Sequence, residues 1–138
     1  MIPLLSMILI LSGCDVAVLE VSETEFFIAK EWKIQSVFRD GELQTQADME
    51  PGDDLSSFRL FIQEDFTFRR IYFDGTETAG SWQLTSGLTQ LALFVGEANE
   101  ERWLLLDLKL RRLEMRLLQN PDKPQLDIRY VLEPVKGQ

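Results

Sequence analysis

Arg102-Trp103-Leu104-Leu105-Leu106-Asp107-Leu108-Lys109-Leu110-Arg111-Arg112-Leu113-Glu114-Met115-Arg116-Leu117-Leu118-Gln119 is the stretch whose reading decides the fold. Its wealth of Leu, Arg and Glu suits a helix, and Trp103, Leu106, Leu110, Leu113 and Leu117 fall at helical spacing. A second period competes. Leu104, Leu106, Leu108 and Leu110 alternate with Asp107, Lys109 and Arg111, and after a change of phase Leu113, Met115 and Leu117 alternate with Arg112, Glu114 and Arg116. A helix scatters residues spaced by two around its circumference, whereas a strand lays them on one face. Two strands joined by a tight turn near Arg111 account for both runs and for the switch. On that reading Trp103 and Leu105 point outward, and an exposed apolar pair needs a cover. The Phe26-Phe27 segment is the expected cover, with one of its rings on the outer wall.

The same period runs outward through the chain. Trp32, Ile34, Ser36 and Phe38 alternate with polar residues, Val37 excepted; Phe58, Leu60 and Ile62 do the same, Phe61 excepted. Phe66, Phe68 and Tyr72, then Trp82 and Leu84, then Leu91 and Leu93 continue the pattern. Turn chemistry at Gln63-Glu64-Asp65, Asp74-Gly75, Ser86-Gly87 and Gly96 separates them. The strands expected are 32–39, 57–63, 66–74, 79–85, 89–95, 102–109, 112–119 and 126–133, the last after an Asn120–Pro124 turn. Eight antiparallel strands in sequential order close into an all-β, up-and-down barrel without exposed edges. Ser22 and Glu25 have capping-box spacing and start a short helix before the first strand.

Of the formal charge of −9, the segment Asp15 to Glu31 carries −4 and Asp40 to Ser57 carries −6, leaving the rest near +1. Phosphate binding needs a basic face, so nucleic acid is not an expected partner. The chain has no histidine and one cysteine, which removes Ser-His and Cys-His nucleophile pairs and zinc sites of the His/Cys kind. No carboxylate pair sits at a spacing that fixes catalytic geometry. Asp48-Met49-Glu50-Pro51-Gly52-Asp53-Asp54 offers oxygen ligands but lacks EF-hand spacing. An enzyme, a cofactor and a metal centre are therefore not expected.

Leu11-Ser12-Gly13-Cys14 follows the uncharged run Ile2 to Leu11 and ends at the lone cysteine. It resembles the lipobox of bacterial lipoproteins. That resemblance implies a signal peptide over residues 1–13, a diacylglyceryl group on the Cys14 thiol, and an amine acylated by a chain such as palmitate. The run is about half of the ~20 residues that cross a bilayer. Residues 14–29 would then be a lipidated tether with its short helix, and residues 30–138 the barrel. The membrane of the bacterial cell envelope, the outer membrane foremost, would be its location.

Residues 28–134 resemble the bacterial lipocalin-like lipoproteins. The likeness rests on Trp32-Lys33, Asp40-Gly41, Leu60-x-Ile62, Glu64-Asp65-x-Thr67-Phe68, Gly80-Ser81-Trp82-Gln83-Leu84, Leu91-x-Leu93, Leu105-Leu106-x-Leu108 and Leu113-x-Met115. Lys30 and Phe66 stand where such relatives usually have glycine. The resemblance implies a barrel closed at one end by an arginine packed on the first-strand tryptophan, here Arg129 on Trp32. It also implies a small hydrophobic ligand inside. The inward residues expected to line its site are Trp32, Ile34, Leu60, Ile62, Phe68, Trp82, Leu84, Leu91 and Leu93, with Arg70 and Tyr72 to orient a polar head. Side chains this large can equally fill a small barrel as core. A filled barrel would point instead to a module that docks another protein through its loops. A cavity of roughly 300 Å³ or more separates the two. The long acidic loop after the first strand is expected to fold over the open mouth as a gate.

Overall fold

The computed structural model describes residues 23–119 and 127–136, and in them the period-two stretches are strands. A short helix α1 (Glu23–Ile28) precedes β1 (Glu31–Arg39), β2 (Glu42–Leu43), β3 (Arg59–Ile62), β4 (Thr67–Ile71), β5 (Glu77–Thr85) and β6 (Gln90–Leu93). β7 (Glu101–Lys109), β8 (Arg112–Gln119) and β9 (Ile128–Pro134) complete the chain. The disputed stretch is thus a hairpin, turning at Leu110 and Arg111. Cys14, the proposed signal segment, Ser22 and the Asn120–Pro124 turn lie outside the described residues.

Every strand from β3 to β9 pairs antiparallel with its sequence neighbour, and β9 returns to β1 from Trp32↔Pro134 to Arg39↔Ile128. β2 and β3 share the other side of β1, so nine strands make a closed ring of eight staves. Closure satisfies the backbone groups that an edge would leave bare. The up-and-down order puts α1 and the β3–β4, β5–β6 and β7–β8 turns at one end. The long β2–β3 loop, the β4–β5 turn and the start of β9 lie at the other, which we call the mouth.

Three register shifts explain where simple alternation fails. The β1–β9 register shifts between Ile34 and Ser36, so the inward face passes from Trp32 and Ile34 to Val37 and Arg39. Val37, the residue that broke the sequence pattern, is buried. A second shift, between Leu105 and Asp107, resets β7, and a third, between Arg102 and Trp103, leaves Leu118 of β8 without an opposite residue. Here the sequence reading is corrected: Glu101 and Trp103 are buried and Leu105 packs on the core, while Leu106 and Leu110 are 44% and 61% exposed. A bulge adds one unpaired residue and inverts the faces beyond it. The expected cover for Trp103 is corrected too. Phe26 is 59% exposed and Phe27 half-buried, and Ile28, fully buried in the core, ties α1 to the barrel. Outside, Phe61 is shielded by the Arg69 guanidinium 4.0 Å from its ring centre.

Trp32, Phe58, Leu60, Phe68, Trp82, Leu91, Leu93, Leu113 and Leu132 form the centre of the core. At Gly80 a Cβ atom would stand 2.9 Å from one Phe94 ring carbon and 3.1 Å from a Phe68 ring carbon. These two rings meet edge to face with centroids 4.9 Å apart. Gly80→Ala must push them apart, and such overpacking costs about 1–3 kcal/mol. Urea unfolding of the variant should show that loss; an unchanged midpoint would mean the rings yield freely.

Candidate functional site

The register shifts in β1 and β7 turn aromatic and aliphatic side chains into the mouth. A cavity of about 390 Å³ opens there, lined by Tyr72, Phe73, Trp103, Leu117, Ile128 and Tyr130, with Arg39, Met49, Glu50, Asp53 and Asp74 around it. Its rings hold one another. The Trp103 and Tyr130 centroids are 5.0 Å apart, Phe73 and Tyr130 meet edge to face at 6.0 Å, and Tyr72 stacks on Phe73 at 6.0 Å. Burial pushes the Tyr130 phenol well above its ordinary pKa, so it stays neutral.

A buried ion pair supports two of these rings. Arg70 donates through both terminal nitrogens to the two oxygens of Glu101, each at 2.8 Å. The Trp103 indole N–H donates to the same Glu101 Oε1 at 3.1 Å. The Arg70 guanidinium carbon lies 4.6 Å from the centre of the Tyr72 ring. Burial opposes the charge on Arg70, but the hydrogen bonds and charge of Glu101 outweigh it and hold the guanidinium protonated. Such a bidentate pair fixes orientation as well as charge. Glu101 had no signal in the sequence, because its partner stands thirty-one residues earlier.

The acidic loop lies at the mouth, as expected of a gate, and it is folded rather than draped. The Gln46 side chain bridges it, donating to Asp53 O at 2.7 Å and accepting from Leu55 N at 2.8 Å. Asp48 accepts from Thr45 N and Oγ1, and Asp54 accepts from Ser56 N and Oγ; these bonds lower both carboxyl pKa values. Asp54 N donates to Phe73 O at 2.9 Å, joining loop to cavity wall.

Of the residues expected to line a ligand site, Tyr72 alone lines this cavity. Trp32, Leu60, Ile62, Phe68, Trp82, Leu91 and Leu93 are buried among one another, and Ile34 and Leu84 pack against them. Their size fills the barrel below the mouth. Arg70 is engaged by Glu101. The expected Arg129–Trp32 contact is corrected as well. Arg129 stands opposite Phe38 in the β1–β9 register, lies 4.1 Å from that ring's centre and pairs with Glu114 at 2.9 Å. It lies on the outer wall because the first bulge turns Phe38 outward. Lys30 takes the place over Trp32, 5.3 Å from its ring.

No family model and no curated protein matches this chain. Among solved structures, a lipocalin-like protein from Bacteroides uniformis ATCC 8492 aligns over 79% of this chain and 99% of its own, with a TM-score of 0.51 and 15% sequence identity. The fold is lipocalin-like. In this lipocalin-like barrel one end is packed solid and the other holds a walled opening, the arrangement that leaves room for a guest. Among the described residues, no helix is long and apolar enough to cross a membrane.

Proposed function

We propose that this lipocalin-like barrel binds a small hydrophobic or amphipathic molecule non-covalently at its mouth, while Cys14 holds the protein by lipid to a membrane of the bacterial envelope. The cavity carries the reading. Its volume of about 390 Å³ exceeds the ~300 Å³ at which small-molecule pockets begin. Its walls are apolar rings with a few polar groups at the rim, the usual division between affinity and orientation. A filled barrel that docks proteins would need no such space. Two or three acyl chains, at about 0.8 kcal/mol per buried CH₂, make the Cys14 attachment effectively permanent.

The test is to fill the cavity. Leu117→Trp places a large ring among Trp103, Tyr130 and Ile128. N-phenylnaphthylamine, a neutral apolar fluorophore, should brighten with the native protein and bind at least about tenfold more weakly to this variant, a difference of ~1.4 kcal/mol. The thermal midpoint should stay near the native one. A fluorophore that binds both equally, or neither, would refute a ligand site at the mouth.

A further inference from the structure

The geometry points to a ligand with a cationic head, an organic ammonium or amidinium carried on an apolar body. This deepens the reading of the mouth cavity as a ligand site and rests on it. The cavity's lining holds three carboxylates, Glu50, Asp53 and Asp74, against the single cation Arg39. Among the described residues, Glu50 and Asp53 make no ion pair, and Asp74 accepts only from Thr76, through N at 2.9 Å and Oγ1 at 2.7 Å. The other strong cation nearby, Arg70, is neutralised by Glu101 behind the wall. Around the same end stand Asp40, Glu42, Asp48, Asp54 and Asp127, with Arg116 and Arg129 beside Asp127, so among the described residues acids outnumber bases at the opening. A charged opening above low-dielectric walls concentrates ions of the opposite sign and repels the like-charged.

Beneath the carboxylates lie Tyr72, Phe73, Trp103 and Tyr130. The faces of such rings attract cations, Trp most strongly. An acidic rim over aromatic walls therefore favours a positive head twice, first by charge and then by ring quadrupole. A fatty acid carboxylate meets the reverse of both. The Gln46 bridge keeps the rim in place, with Asp53 O bonded to Gln46 Nε2 and the next residue, Asp54, bonded to Phe73. The rim is thus preorganised, and little ordering is left for a ligand to impose.

Three probes with one tail and different heads decide the point: decyltrimethylammonium, decanol and decanoate, titrated calorimetrically into the full chain below their micelle concentrations. The ammonium should bind about tenfold more tightly than decanoate, as expected for two unit charges partly screened at a surface. The gap should narrow with added salt. Glu50→Gln combined with Asp53→Asn should close most of it, and Arg39→Gln should widen it. Arg39 and Glu50 are exposed and Asp53 is half-buried at the rim, and circular dichroism would verify that the variants fold. Equal binding of the three heads, or tighter binding of decanoate, would overturn the cationic ligand while leaving the cavity as a ligand site. No binding of any probe, together with failure of the neutral fluorophore, would overturn both.

Discussion

Arg70→Leu should destabilise this protein by about 3–5 kcal/mol, the cost of leaving a buried charge without its partner. Arg70 and Glu101 are 4% and 5% exposed, and each terminal guanidinium nitrogen holds one carboxylate oxygen. With Arg70 gone, the Glu101 carboxylate would keep only the Trp103 indole N–H. Domains of this size are stable by about 5–15 kcal/mol, so the loss would be visible as a large fall in the urea midpoint. The double variant Arg70→Leu with Glu101→Leu should recover most of the stability, because apolar residues of similar volume commonly replace a buried pair at little cost. A single variant that unfolds at the native midpoint would show that the pair supports nothing. The double variant matters for the site as well. It removes the hydrogen bond on Trp103 and the cation behind Tyr72, so ligand affinity should fall even where stability returns.

The strands were legible because period-two burial repeats along nearly every one of them and turn residues mark their ends. Residues 102–119 read as two strands for that reason, although composition argued for helix. The faces were less legible. A bulge adds one residue to one strand, and nothing in Ile34-Gln35-Ser36 or Leu105-Leu106-Asp107 announces it without the partner strand. The only trace in β1 was Val37, out of phase with its neighbours and buried in the structure.

That limit governs the site. The phase changes in β1 and β7 bring Arg39 and Trp103 to the cavity, so a stripe extrapolated from Trp32 and Leu104 misses them. Glu101 was invisible for a different reason: its burial depends on Arg70 across the barrel, and pairings between distant strands leave no local pattern. The acidic loop was placed correctly at the mouth by its length and position. Its internal bonds through Gln46 depend on side-chain geometry that spacing alone does not convey.

Trp32→Ala should be comparably severe, at about 3–5 kcal/mol for a large buried aromatic replaced by a methyl group. The Trp32 side chain is fully buried, and its indole N–H donates to Ile28 O at 2.9 Å. Helix α1 has six residues, too few to persist without tertiary support. It depends on the burial of Ile28 and on this bond, so removing the ring opens a cavity and frees the helix together. Trp32→Phe separates the two effects. Most apolar packing stays, and Ile28 O keeps the backbone bond from Lys30 N at 2.9 Å. That variant should lose only about 1–2 kcal/mol, roughly one net hydrogen bond and a small void. Hydrogen exchange should quicken at residues 25–30 in both variants and reach unprotected rates only in Trp32→Ala. Because the ring stands at the end opposite the mouth, Trp32→Phe should bind the neutral fluorophore with native affinity. Weakened binding there would mean that the solid end and the open end are one cooperative unit, and that α1 governs the shape of the cavity.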